Sequence, residues 1–298
     1  MKAGKKAARK EPVVRKKKRS LWRDVWRRLC KNKLAVAAMI LIILIVLSAV
    51  FADYLTPYNY AKQAKSKSEL LNFPNAAHPF GTDKFGRDIL TRVLKGGQTS
   101  LLIALVSTVI ATVVGTVLGA TAGYFKGAYA TLVMRVMDII MGIPPLLFAV
   151  VVSTALGTGV VNTIIATSIP SITAFCRIAY SQVLKESNNE YIQAATICGA
   201  GSFRKVFVHL LPNCLAPLII QMTLRLGTGI SVISSLSFIG LGVQPPTPEW
   251  GSIISSARQY YRDFWPIVTF PGLMISLTII GFNVFGDGLR DALDPRQK

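Results

Sequence analysis

Apolar and polar positions do not alternate along this 298-residue chain; they are sorted into blocks. Uncharged, largely hydrophobic runs cover Leu34–Ala52, Gly96–Phe125, Ile139–Cys176, Leu226–Pro248 and Trp265–Gly286. A bilayer-spanning helix needs about 20 such residues, and a helix satisfies its own backbone hydrogen bonds in lipid. The run Ile139–Cys176 is 38 residues long, too long for one span. Gly157-Thr158-Gly159 sits near its middle, so it reads as two helices joined by a tight turn. The stretch from Leu210 to Pro248 is broken only by Arg225 and supplies another span. The pattern predicts an all-α polytopic membrane protein with six transmembrane helices, at about 34–53, 98–122, 136–156, 160–182, 214–241 and 265–286.

Composition agrees with this and adds an orientation. The chain is 51% hydrophobic yet carries a formal charge of +20. A soluble domain would have too little polar surface left to cover such a core. The first 33 residues hold 15 Lys or Arg against 2 acids, a net +13. Positive flanks stay in the cytoplasm, so the N-terminus is inside, and six crossings return the C-terminus inside. The loop Asp53–Lys95 is then external although it carries 7 Lys or Arg against 4 acids. The apolar run from Leu34 exceeds the ~7–15 residues of a signal-peptide core, so the first helix is retained. Beside a membrane helix, the basic tract sets topology and meets anionic headgroups rather than nucleic acid. Within it, Leu21–Leu29 has Leu21, Trp22, Val25, Trp26 and Leu29 on one side, an amphipathic helix for the inner leaflet. The chain divides into a basic cytoplasmic tail (1–33), a first transmembrane helix with an external loop (34–97), a helical membrane core (98–287) and a cytoplasmic tail (288–298).

One polar insert interrupts the apolar pattern, EYIQAATICGAGSFRKVFVHLLPN, from Glu190 to Asn213. Ser187-Asn188-Asn189-Glu190 has the form of a capping box, with Ser187 and Glu190 each satisfying the other's amide. Tyr191, Ala194, Ala195 and Cys198 fall on one helical face. That face is mostly small, suited to being gripped in another protein's groove. Gly199 ends this helix. Ser202 is placed to cap a second short helix to Leu211, and Pro212 permits a change of direction into the fifth span. A loop of this design at the inner membrane surface is built for docking.

Other features bear on mechanism. Gly115, Gly119 and Gly123 repeat every four residues and let a second helix approach closely; packing within the chain and a dimer seam are both compatible with that face. Arg225 lies deep in a span, where a charge faces protein or a water-filled path. Two readings stand: a substrate pathway, or a structural role in which the side chain pairs within the protein or snorkels toward the surface. Cys30, Cys176, Cys198 and Cys214 form no CxxC pair and read as free thiols. The two histidines, His78 and His209, lie on opposite sides of the membrane. No HExxH, GxSxG or P-loop motif is present. No catalytic or metal-binding residues are assigned, and no cofactor is bound by this chain. If transport is ATP-driven, ATP and Mg²⁺ are held by partner subunits. Paired intramembrane carboxylates are absent, Asp138 being the nearest candidate.

The stretch Glu190–Asn213 resembles the EAA loop of permease subunits of binding-protein-dependent ABC importers. Glu190, Tyr191, Ala194, Ala195, Gly199, Ala200, His209, Pro212 and Asn213 follow the pattern of the peptide-importer branch. HPFGTDKFGRDIL (His78–Leu90), LSFIGLGVQPPTPEWG (Leu236–Gly251) and FGDGLRDALDPR (Phe285–Arg296) resemble the same branch, in particular its C-type subunit. Many relatives carry an acid shortly before the LSF-GLG segment, where this chain has Ile233-Ser234. The resemblance implies a type I permease fold in a bacterial or archaeal plasma membrane. It implies a heterodimeric partner permease, two cytosolic ATPases docked on Ser187–Gly199, and an external or periplasmic solute-binding protein. Di- or oligopeptides are the implied cargo; nickel or a metal chelate, glutathione, and a docking subunit without transport are alternatives.

Overall fold

The computed structural model describes residues 21–64 and 66–293. The tail at 1–20 and the end at 294–298 lie outside the described residues. The described elements are helical. They are α1 (Leu21–Leu29), α2 (Lys33–Val50), α3 (Ile89–Phe125), α4 (Gly127–Met141), α5 (Pro145–Leu156), α6 (Val160–Glu186), α7 (Glu190–Ile197), α8 (Leu215–Phe238), α9 (Trp250–Ser256) and α10 (Pro266–Leu293). Among the described residues five helical stretches are long and apolar enough to cross a membrane, or six if α4 and α5 count as one bent span. The six-span expectation therefore holds with the third span broken.

The break has a local cause. The third span was expected as one helix over 136–156, but α4 and α5 meet at 90° across Gly142, Ile143 and Pro144. Pro144 and Pro145 lack amide donors, and Pro145 opens α5, the helical position proline tolerates best. The expected inner loop 123–135 is also replaced by helix, interrupted at Lys126, which has φ 55° and ψ −161°. Gly157 and Gly159, at φ 88° and 128°, make the expected tight turn into α6.

The second span is longer than its apolar run. α3 has 37 residues, about 55 Å at 1.5 Å per residue, so it projects beyond a ~30 Å hydrocarbon core. Asp88 starts it, its carboxylate accepting from the Thr91 amide at 2.7 Å. Gly96 and Gly97 do not break α3 because their bare faces receive the Trp250 ring. Trp250 is fully buried and donates its indole N–H to the Val93 carbonyl at 2.8 Å. The external segment before α3 is folded: Arg87 and Arg92 surround the buried Asp83 carboxylate, at 2.6 and 3.8 Å. Lys95 is bonded to Asp53. Three of that loop's cations are thereby tied to its own acids.

The core is held by close helix pairs. α3 and α6 form the tightest. A Cβ on Gly115, Gly119 or Gly123 would lie 2.6, 2.1 or 2.8 Å from the carbonyl oxygens of Ile172, Cys176 and Tyr180. The glycine face thus packs within the chain. α10 runs against α2, with Gly281 under Ile42 and Gly288 under Ala35. It continues helically to Leu293, past the end expected at 286. α1 forms as expected, but its sides are arranged differently. Val25 and Leu29 turn onto Phe285 and Ala292 of α10, whereas Trp26 is 55% exposed. The four cysteines are free.

Gly119→Val would drive two methyl groups into the α6 backbone, an overpacking cost of about 1–3 kcal/mol. We expect a lower melting temperature in detergent, whereas Gly229→Ala, with open space at its Cβ position, should leave it unchanged or higher. Equal melting of both variants would refute the tight α3–α6 seam.

Candidate functional site

The docking loop begins where α6 ends. Ser187 belongs to that ending: its amide donates to the Val183 carbonyl at 2.8 Å and its hydroxyl to the Leu184 carbonyl at 2.9 Å. The expected capping box does not form, because the longer α6 has already used both Ser187 groups. Asn189, in an extended conformation, precedes α7 instead. Its side chain donates backward to Glu186 Oε2 at 2.6 Å. Glu190 is exposed and opens the helix without reaching Ser187.

α7 is pinned by one side chain. Ile192 is 5% exposed and packs with Ala120 of α3, Val183 of α6, and Val206, Leu210 and Cys214 of the return path. Sequence reasoning passed over Ile192 because it sought the small face. The signal was the Val206/Leu210 pair at i, i+4, an apolar stripe needing a partner. A polar chain braces the same helix. The Tyr191 hydroxyl donates to Glu186 Oε2 at 3.0 Å, and Asn213 Nδ2 donates to the Tyr191 hydroxyl at 3.3 Å and to the His209 carbonyl at 2.7 Å. Burial, then the Glu186 carboxylate, pushes the Tyr191 phenol above its ordinary range, which keeps it a donor.

Gly199 closes α7 as expected. It takes φ 78°, a conformation that costs glycine least. The Ala200 amide reaches the Ala195 carbonyl at 2.9 Å and the Gly199 amide the Thr196 carbonyl at 3.0 Å, the paired bonds of a Schellman ending. The exposed face differs from the small one expected. Ala194 and Cys198 do face out, but Ile197 at 87% and Phe203 at 75% exposure dominate it.

The return path is one helical run. Gly201 is the cap and Ser202 the first helical residue, so Ser202 does not cap. Lys205–Leu210 is a wide π-turn, with the Leu211 amide reaching back to the Val206 carbonyl, and Leu211–Cys214 is a tighter 3₁₀-turn leading into α8. Pro212 therefore causes no turn of the chain. The wide and tight turns absorb its missing donor.

Arg225 lies midway along α8. Its guanidinium has no hydrogen-bond or ion-pair partner among the described residues, so a structural pair is not found there. It borders a narrow cleft with hydroxyls of Ser107, Thr108, Thr167, Ser171 and Thr228, closed by Pro145 and Pro170. The space open to a water centre there is about 20 Å³, room for roughly one water. A cleft of that size is too narrow to admit a peptide. Asp138 is not isolated; its carboxylate pairs with Arg177 of α6. His78, outside, pairs with Asp88 at 2.9 Å, while His209 lies in the cytosolic π-turn.

A second residue missed by the sequence reading is Glu249, which is 0% exposed. It caps α9, accepting from the Ser252 amide at 2.9 Å, and receives the Ser100 hydroxyl at 3.0 Å. Ser234 Oγ is 3.5 Å away. Burial raises the Glu249 carboxyl above the usual range, against the opposing pull of the Gly251 and Ser252 amides and the Ser237 and Ser100 hydroxyls.

The profile of the family described as binding-protein-dependent transport system inner membrane component matches residues 115–298. That of the N-terminal TM domain of oligopeptide transport permease C matches residues 20–74. The chain is 42% identical over 280 residues to the di/tripeptide transport system permease protein DppC of Pseudomonas aeruginosa, covering 93% of this chain and 92% of that one. It is 42% identical over 281 residues to the dipeptide transport system permease protein DppC of Escherichia coli K12, covering 92% and 93%. The glutathione transport system permease protein GsiD of Escherichia coli O6:K15:H31 is 40% identical over 280 residues, covering 94% and 92%. Among solved structures, the MetNI methionine ABC transporter in an inward-facing conformation shares the fold, with TM-score 0.54 at 19% identity over 68% of this chain and 96% of that chain.

Two outcomes follow from the loop and the buried acid. Ile192→Ala removes the pin of α7, at about 2–5 kcal/mol for a buried aliphatic; hydrogen exchange at 190–197 should accelerate while α3 and α6 stay protected. Uniform exchange across all three would refute the pin. For Glu249, a folded-state pKa above the ordinary 4.5 makes the folded chain the tighter proton binder. Stability is then greatest below that value and is lost as pH rises toward the folded pKa. Glu249→Gln should flatten that decline in thermal unfolding measured over a pH series; an unchanged slope would show that Glu249 does not cause it.

Proposed function

The chain belongs to the family of binding-protein-dependent transport system inner membrane components, and on that premise we propose that it is one permease half of an ATP-driven importer of di- or oligopeptides. The single observation that carries the coupling part is α7, fixed to the membrane helices through Ile192 while Ile197 and Phe203 stand uncovered at its outer side. Two cytosolic ATPases would hold this surface, with Tyr191, Ala194, Gly199 and Ala200 at the contact and Ser187, Ala195, His209 and Pro212 shaping its base. ATP and Mg²⁺ would be bound by those partners. A second permease would complete the pathway, and a solute-binding protein would deliver cargo at the outer face formed by 54–97 and 243–264. Closure of the ATPases would carry α7 inward and rock the two permease halves, giving alternating access.

The relatives' names set the cargo class. They are named for dipeptides, di/tripeptides and glutathione, all short peptides with a free carboxylate. Arg225, unpaired in mid-span, supplies a charge-assisted partner for that carboxylate once the cleft opens. Glutathione is the second reading, favoured by a relative only slightly less identical than the dipeptide permeases. Membership of the family favours transport over docking alone.

The reading is tested in vesicles holding this chain, its partner permease and both ATPases, with the binding protein supplied. Uptake of labelled dipeptide should require ATP, and uptake indifferent to ATP would overturn the importer reading. Arg225→Gln should lower uptake of a peptide with a free carboxylate by roughly tenfold or more, the worth of a hydrogen bond to a charged group. Uptake of the C-terminally amidated peptide should change little. Equal loss for both peptides would remove Arg225 from cargo recognition.

A further inference from the structure

We propose that the outward face of α1 is a binding site for anionic phospholipid headgroups of the inner leaflet. The amphipathic pattern alone would lay Val25, Trp26 and Leu29 together on lipid. The structure divides them. Val25 and Leu29 are taken up by Phe285 and Ala292 at the end of α10. The opposite face presents Arg23, Trp26 and Arg27, at i, i+3 and i+4, all exposed. Neither Arg23 nor Arg27 has a partner among the described residues.

The depth of this face is fixed. Asn32 ends the turn after α1 and caps α2, its side-chain oxygen accepting from the Leu34 and Ala35 amides at 3.1 and 3.2 Å. Ala35 is locked against Gly288 of α10. Because α2 is a membrane span that starts at Lys33, α1 stands at the level where hydrocarbon gives way to headgroups. Exposed Lys31 and Lys33 lie at the same level. An indole flanked by two guanidiniums suits that depth: the ring sits at the headgroup boundary and the arginines bond phosphate oxygens. The chain before α1, outside the described residues, carries ten Lys or Arg against one acid. A phosphatidylglycerol-type lipid supplies both the phosphate and the acyl chains that Trp26 borders. An acidic protein or an RNA would satisfy the charge and leave the indole without an apolar partner.

The complete transporter tests this by native mass spectrometry after exchange into nanodiscs of phosphatidylcholine with phosphatidylglycerol. The wild type should retain phosphatidylglycerol preferentially, and retention should fall with salt. Arg23→Gln/Arg27→Gln should lower that preference by roughly fivefold per arginine, the ratio equivalent to the ~1 kcal/mol of a juxtamembrane cation. The same spectrum shows whether the variant still assembles. Lys84→Gln, an external cation, should leave retention unchanged. Equal retention by wild type and the double variant, or no preference over phosphatidylcholine, would overturn the proposal. So would full displacement by free glycerol phosphate, a bound RNA in place of lipid, or loss of the ATPases from the double variant with lipid retention intact.

Discussion

The close approach of α3 and α6 is the constraint on which the rest depends. Three glycines let the two backbones meet at a distance no side chain would allow, the nearest hypothetical Cβ falling 2.1 Å from a carbonyl oxygen. In lipid there is little hydrophobic gain from pairing helices, so packing of this kind supplies the cohesion. The seam also sets where α6 ends. Val183 meets Gly123 on one side and Ile192 on the other. α7 is thereby seated on the same pair of helices that forms the membrane core, through contacts of Ile192 with Ala120 and Val183.

Rigidity at the seam contrasts with compliance elsewhere. The break between α4 and α5, the wide turn at Lys205–Leu210 and the tight turn at Leu211–Cys214 each depart from the regular helical ladder. Such departures survive at a membrane only where protein or water can satisfy the freed groups. At His209 the Asn213 side chain does so. Pro145, Pro170 and Arg225 border one cleft, so two prolines, one opening α5 after the break and one inside the continuous α6, lie beside this unpaired mid-span charge.

Much of this was legible in the sequence. Charge-free runs marked the spans, Gly157 and Gly159 the turn, and Gly199 the end of α7, since each depends on local chemistry. The third span breaks at Pro144-Pro145, a local cause, and Gly201 rather than Ser202 takes the cap position; the capping box fails because of how far a neighbouring helix runs. Once α6 extends to Glu186, Ser187 has nothing left to offer α7. The glycine face was ambiguous for a different reason: a G-x-x-x-G pattern states that something approaches closely, and only the fold says that α6 does. Ile192 and Glu249 were missed because their partners lie far off in sequence, Ile192 against Ala120 and Glu249 against Ser100.

The buried Glu249 ties the outer end of the bundle together. It joins α9 to α3 through Ser100 and lies beside α8 at Ser234. Trp250, next in sequence, fills the notch left by Gly96 and Gly97 and bonds Val93. A charged carboxylate in that setting would be costly, and burial holds it toward the neutral form. α3, α8 and α9 are thus keyed by one acid and one indole at the outer end, while at the inner end Ile192 keys α7 to α3 and α6. α3, about 55 Å long, carries both contacts: Ala120 against Ile192 towards its C-terminal end, and Ser100 against Glu249 nearer its start.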